Sequence, residues 1–188
     1  MKRARTSGGK GESLTGGTGD VNPQFFSGVM TQTVADNAIT SAFPLPVTRL
    51  PKGDKVTIVE LLKVYADFPP LLGTNVAETT YNISMFFSTV SFGTGALAWN
   101  EPNVFALLQR QQRKAFTAAG TYIDTVNDPV SIDLTDGAGH GILLATDQFF
   151  VQLSSTNTAT TNSVAFKMLY RFKIVGLLEY IGIVQSQQ

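Results

Sequence analysis

The chain has 188 residues, enough for one domain with a core of its own. Hydrophobic residues make up 43% and charged residues only 15%, where soluble domains usually carry about 25% charged. The absence of cysteine and a single histidine exclude a disulfide framework, a thiolate nucleophile, and any metal site needing several histidines from one chain. Formal charge sums to zero, yet Lys2, Arg3, Arg5 and Lys10 against Glu12 and Asp20 leave residues 1–20 at +2 and the remainder at −2.

Residues 1–22 read as a basic, Gly-rich N-terminal arm, with Ser7-Gly8-Gly9-Lys10-Gly11 followed by Gly16-Gly17-Thr18-Gly19. Such a segment buries too little apolar surface to order itself, so a mobile arm is expected. Its basic start is followed by Gly, Ser and Lys in place of an apolar stretch, so no secretory signal is expected. The same residues suit a nuclear-import signal or a nucleic-acid contact. After Asn22-Pro23 the character changes, and residues 23–188 are expected to form the folded domain.

In chain order, strands are predicted near Val29–Val34 and Ala38–Phe43, then over Val56–Phe68, where both faces are largely apolar. That pattern fits a strand covered on both sides, or one at an interface. Tyr81–Thr89 alternates, with Tyr81, Ile83, Met85 and Phe87 on one face and Asn82, Ser84 and Ser88 on the other. A short helix is predicted near residue 104: Asn100 as cap, Pro102 in the first turn, and Val104, Phe105, Leu107 and Leu108 as its apolar stripe. Short strands follow at Tyr122–Val126, Val130–Leu134, Gly141–Ala145 and Gln148–Ser154. The clearest strand is Val164–Val175, whose even positions are all apolar while Lys167, Arg171 and Lys173 take odd ones. A last strand is predicted at Leu177–Val184. The longest apolar run, Ile174 to Val184, is broken by Glu179 and is too short to span a bilayer. Eight to ten strands punctuated by turn clusters, without an internal repeat, define an all-β sandwich or barrel.

Chemistry-bearing patterns are sparse. His140 stands in Gly137-Ala138-Gly139-His140-Gly141 near Asp133 and Asp136, with no Gly-x-Ser-x-Gly elbow anywhere in the chain. Asp124, Asp128, Asp133 and Asp136 would suit calcium by type, but their spacing does not match the helix-flanked calcium loop, and such residues also make turns. Gly16-Gly17-Thr18-Gly19 lacks the helix and Gly-Lys-Ser/Thr of a phosphate loop. Asn82-Ile83-Ser84 matches a glycosylation sequon within a strand. Two basic groups remain, Lys167, Arg171 and Lys173 on one strand face and Arg110, Arg113 and Lys114 after the predicted helix. They are either solvated surface or a phosphate-facing one. No cofactor, metal or catalytic residue is indicated.

Several segments together resemble capsid proteins of small circular Rep-encoding single-stranded DNA viruses, the circovirus-like group. They are Leu14-Thr15-Gly16-Gly17-Thr18-Gly19-Asp20-Val21-Asn22-Pro23-Gln24, Phe43-Pro44-Leu45-Pro46-Val47, Arg49-Leu50-Pro51 and Val59-Glu60-Leu61-Leu62-Lys63-Val64-Tyr65, then Asp133 to Gly141, Ala145-Thr146-Asp147-Gln148, Leu169-Tyr170-Arg171-Phe172-Lys173 and Glu179 to Gln187. In order they span nearly the whole chain.

The resemblance implies a single jelly roll of two four-stranded antiparallel sheets. About sixty copies would close a T = 1 shell around single-stranded DNA. It implies a virion component, assembled in the host cell with the nucleus as a candidate site, that is no enzyme and binds no membrane. On that reading Lys2, Arg3, Arg5, Lys10, Arg110, Arg113, Lys114, Lys167, Arg171 and Lys173 are candidate DNA contacts. Glu60, an acid on an apolar strand, is expected to pair with a basic residue at a subunit boundary. The family often has a long arginine-rich terminus, whereas this chain has four basic residues in its first ten. About sixty arms at +2 to +3 neutralise only on the order of 150 phosphates.

The competing expectation is a cellular β-sandwich binding module for a ligand or carbohydrate, forming a small oligomer, with Trp99 beside Gly93-Thr94-Gly95 as its aromatic platform. An enzyme on the same fold would in its commonest form need a histidine-rich metal site, which one histidine does not supply.

Overall fold

Period-two alternation dominates the folded chain, and the computed structural model turns nearly all of it into antiparallel sheet. It describes residues 23–45, 54–70, 80–93, 95, 97–98, 100–116, 122–127 and 131–187, with backbone alone for 114–116 and 122–127. The predicted arm, residues 1–22, lies outside the described residues, as does Trp99. Ten strands are described: β1 (Gln24–Thr31), β2 (Ala38–Pro44), β3 (Lys55–Asp67), β4 (Thr80–Ser88), β5 (Val104–Phe116), β6 (Tyr122–Asn127), β7 (Ser131–Asp133), β8 (Ile142–Leu144), β9 (Gln148–Thr156) and β10 (Ser163–Gly176). One helix, α1 (Leu177–Ser186), follows them.

One sheet, here sheet A, has the order β1-β10-β3-β7, with the short β8 also on β3. The other, sheet B, has the order β2-β9-β4-β5-β6. Both are antiparallel throughout. The chain alternates between sheets for its first four strands and again near its end, so the inner faces are built from residues distant in sequence. Sheet A contributes Met30, Val59, Leu61, Val64, Ala66, Val164, Phe166 and Met168 to the core, and sheet B contributes Ile83, Met85, Phe87, Ala106, Leu108, Phe149, Val151 and Leu153. Phe26, Phe43, Phe87, Phe149 and Phe166 meet there edge-on, tilted or stacked, with ring centroids 5.1–6.3 Å apart. Each such ring is worth roughly 1.5–3 kcal/mol in burial alone.

β3 explains why its sequence is apolar on both faces. Its register against β10 shifts at Leu169/Tyr170, leaving Leu62 as the extra residue of a bulge. Before the bulge Val59 and Leu61 face the core, and after it Val64 and Ala66 do. The outer residues Val56 and Ile58 are buried in a second, smaller cluster with Ala145 and Val175, roofed by Tyr180, Ile183 and Val184 of α1.

Two predicted elements are corrected. The segment expected as a helix around Val104–Leu108 is the start of β5, and Asn100 and Pro102 belong to the turn before it, where Val104 N–H donates to the Glu101 carbonyl. Ala106 and Leu108 face the core opposite Phe87 and Met85 while Leu107 lies across from Phe86 on the outer face. Two-sided burial of a strand thus mimicked a helical stripe. The segment expected as a strand at Leu177–Val184 is α1. There, burial of Tyr180, Ile183 and Val184, at spacings of three and four, on the outer face of sheet A outweighs local preference.

Candidate functional site

The outer face of sheet A mixes apolar, acidic and basic side chains, and its registers lay it out in rows. Val29, Ala165 and Asp67 form the first row, Ser27, Lys167 and Tyr65 the second, Phe25, Leu169 and Lys63 the third. Then come Arg171 beside Glu60, Lys173 beside Ile58, and Val175 beside Val56. Because Ser27 and Ala165 are small, an open apolar depression of about 560 Å³ forms there. Its lining includes Val29, Tyr65 and Ala165 together with Lys167 and Asp67. Phe25, 61% exposed, stands next to it, 6.4 Å from the Tyr65 ring, which the Lys63 ammonium overlies at 5.1 Å.

Glu60 sits in the middle of this face, only 1% exposed. Its Oε2 accepts from Arg171 Nε at 2.5 Å, its Oε1 accepts from the Gly141 N–H at 3.0 Å, and Lys173 Nζ lies 3.8 Å away. Burial pushes its carboxyl up. The Arg171 and Gly141 hydrogen bonds and the two positive charges outweigh that and hold it below the usual glutamate value. Arg171 is raised in turn, chiefly by its hydrogen bond to Glu60. Glu60 is therefore satisfied by basic residues of its own chain.

The cluster also anchors the 133–141 loop, since Arg171 Nη2 donates to the Gly139 carbonyl. A side chain at Gly141 would place its Cβ 2.1 Å from the Leu61 carbonyl oxygen, so only glycine fits.

Other predicted site residues are dispersed. Lys167 is exposed, while Arg171 and Lys173 are half-buried around Glu60. Arg110 turns to the inner face, where Nη1 donates to the carbonyls of Phe68 and Pro69 at 2.9 and 2.8 Å. Arg113, across from Thr80, is exposed on the outer face. Lys2, Arg3, Arg5, Lys10 and the Lys114 side chain lie outside the described residues.

His140 stays on an exposed loop, Nδ1 3.0 Å from Asp136 Oδ2. Asp136 is held below its usual value, first by the His140 N–H, and Asp133 likewise by the Thr135 N–H. With those acids closing turns, the described residues contain no group of three or more His, Cys, Asp or Glu placed to hold a metal ion; the side chains of Asp124 and Asp128 lie outside them. Asn82 of the sequon is inside the sheet, accepting from Gln109 and donating to Ser84. No helix of the described residues is long and apolar enough to cross a membrane.

Sequence reasoning missed two polar devices. Gln32, 2% exposed, accepts from Asn162 and Ser155 and donates to the Asn37 carbonyl, tying the β1–β2 and β9–β10 connections together. Gln152 reaches the Gly95 carbonyl and the Leu97 N–H, which holds part of the β4–β5 connection over sheet B. A glutamine inside an otherwise apolar strand was the available signal for the second.

Strand order and register define a single jelly-roll β-sandwich with a C-terminal helix roofing part of one sheet. No family model matches the chain, and no curated protein sequence does. Similar solved structures include Trichodysplasia spinulosa-associated polyomavirus VP1 in complex with GM1 oligosaccharide, at 10% identity and TM-score 0.46 over 85% of this chain and 96% of that one. Merkel cell polyomavirus VP1 in complex with disialyllactose is similar at 8% and 0.43, over 85% and 97%. Apo New Jersey polyomavirus VP1 is similar at 10% and 0.45, over 82% and 100%. The jelly-roll assignment rests on the topology above and not on these likenesses.

Proposed function

We propose that the chain is the subunit of a self-assembling viral capsid. The observation that carries this reading is that a domain with a complete core of its own leaves Phe25, Val29, Leu177, Leu178 and Ile181 uncovered on sheet A and α1. A surface this poor in charge and rich in exposed apolar side chains suits burial against copies of itself. The sequence segments resembling circovirus-like capsid proteins support the same reading. They extend it to a T = 1 shell of about sixty copies enclosing single-stranded DNA, as a virion component.

In that reading the basic residues 2–10 form a nucleic-acid contact, and residues 1–22 an arm separate from the jelly roll. Of the candidate contacts, Lys167 and Arg113 are exposed, Arg171 and Lys173 being turned toward Glu60. The Glu60 cluster borders a subunit contact.

Negative-stain microscopy with sedimentation velocity of the purified full chain tests the assembly. Closed, uniform particles are expected, and a monomer or trimer at high concentration across a range of salt would refute it in favour of a small binding module. Comparing the 260/280 nm absorbance ratio of particles with and without residues 1–12 tests the arm, and an unchanged ratio would remove its nucleic-acid role.

A further inference from the structure

Isolated helices shorter than about 12–15 residues are marginal in water. Helix α1 has ten, with Gly182 in its interior and no side-chain cap at Gly176. None of its residues is fully buried. Tyr180, Ile183 and Val184 seat it on the outer cluster Val56, Ile58, Ala145 and Val175, while Leu177, Leu178 and Ile181 stay exposed. So short a helix, so shallowly seated, depends on how its ends are tied.

At the first end the Leu177 N–H donates to the Asp54 carbonyl at 2.8 Å. At the other, Gln187 makes the tie. Its Nε2 donates to the Leu143 carbonyl at 2.5 Å, its Oε1 accepts from the Ala145 N–H at 3.0 Å, and its main-chain carbonyl accepts from Thr89 Oγ1 at 3.2 Å. Leu143 and Ala145 are two positions apart, so these main-chain groups lie on one edge of β8 and its continuation. Donating to the carbonyl of one and accepting from the N–H of the other is how a residue of a parallel strand would bond that edge. The Gln187 amide stands in for such a strand, and Thr89 ties it to the end of β4 in sheet B.

We infer that α1 is a strap that opens as one unit, latched by the Gln187 side chain, and that its release uncovers the β8 edge together with the outer apolar cluster. The two are exposed at once because Ala145 belongs to both, bonding Gln187 through its N–H and packing in the outer cluster. An unpaired edge beside apolar surface is a template for pairing with another chain, and the latch keeps this one closed. The strap is a property of the single chain and does not rest on the capsid reading.

Hydrogen exchange of the full chain at low protein concentration tests it. In wild type the Ala145 amide and the α1 amides should exchange through one shared opening, less protected than the β10 amides paired with β3. Gln187→Leu keeps the bulk of the side chain and removes both of its bonds. It should lower the protection of Ala145 and of α1 together, by about tenfold or more, and leave β10 unchanged. Gln187→Glu keeps an acceptor for Ala145 but at neutral pH has no donor for the Leu143 carbonyl, so it should open the strap as well. Chymotrypsin should nick both variants within residues 177–184 faster than wild type, with far-UV CD showing the sandwich still folded.

Ala145 losing protection in Gln187→Leu while α1 keeps its own would make Gln187 a local bond and overturn the latch. So would wild-type α1 amides as protected as those of β10, which would make the helix part of the cooperative core. Gln187→Glu indistinguishable from wild type would show that the bond to Leu143 holds nothing shut, and would overturn it too.

Discussion

Removing Arg171 should expose how strongly the outer face of sheet A depends on its buried acid, Glu60. In the native fold Glu60 is 1% exposed, and its carboxylate has an Arg171 bond at 2.5 Å, the Gly141 N–H at 3.0 Å and Lys173 at 3.8 Å. Arg171→Met takes the charge-assisted bond from Oε2 and leaves a buried carboxylate with one N–H and a lysine beyond hydrogen-bond distance. Removing one partner from a fully buried pair costs about 3–5 kcal/mol. Arg171 is 30% exposed and Lys173 retains part of the compensation, so the expected loss is nearer 2–3 kcal/mol. Glu60→Gln should cost less, about 1–2 kcal/mol, since the two cations it abandons both reach solvent.

The pH dependence has a definite sign. The Glu60 carboxyl is held below the ordinary value of 4.5, so the charged form is the one the fold favours. Its contribution is full above that ordinary value and disappears as pH falls through the lower folded value. Urea denaturation followed by far-UV CD, at low protein concentration and from neutral pH down to about pH 3, should show a steady gap between wild type and Glu60→Gln that closes at acid pH. A gap that is absent at neutral pH, or that persists unchanged into acid, would refute the reasoning.

Other substitutions probe the core and its closures. Phe166→Ala opens a cavity among four phenylalanines and should cost about 3–5 kcal/mol in the same denaturation experiment; a loss below about 1 kcal/mol would mean the cluster collapses freely. Gly28→Ala would put a Cβ 2.5 Å from Phe166 Cζ and 2.9 Å from Phe43 Cε1, so a loss of about 1–3 kcal/mol is expected where an open strand would gain from the same change. Gln32→Leu strands Asn162 and Ser155 without their acceptor, and about 1–3 kcal/mol should be lost, with faster hydrogen exchange at Asn162. Unaltered exchange there would show that the network is not what holds the β9–β10 connection.

Much of the sandwich was legible because its signal is local. β10 alternates as far as Tyr170 and β4 as far as Met85, and Val164, Phe166, Met168, Tyr81, Ile83, Met85 and Phe87 are buried as their period requires; beyond those points Phe86 and Val175 are buried on the other face. The two-faced apolar pattern of β3 was also readable, as a strand covered on both sides or one at an interface, and the fold covers both. Periodicity fails where burial comes from a distant element. β5 looked helical because both its faces are partly covered, and α1 looked like a strand because the surface that selects its helical face, Val56, Ile58 and Val175, is assembled only when β3 and β10 pair.

The same limit governs the functional surface. Sequence alone singled out Glu60 as an acid on an apolar strand, and Arg171 as a cation on a polar face. The register opposing residues 60 and 171, more than a hundred positions apart, turned them into a partnership within one chain. It likewise left Lys167 outside that cluster, beside a depression formed where small residues of β1 and β10 come side by side. Composition and period determine which residues must be buried; only strand pairing decides which of them meet.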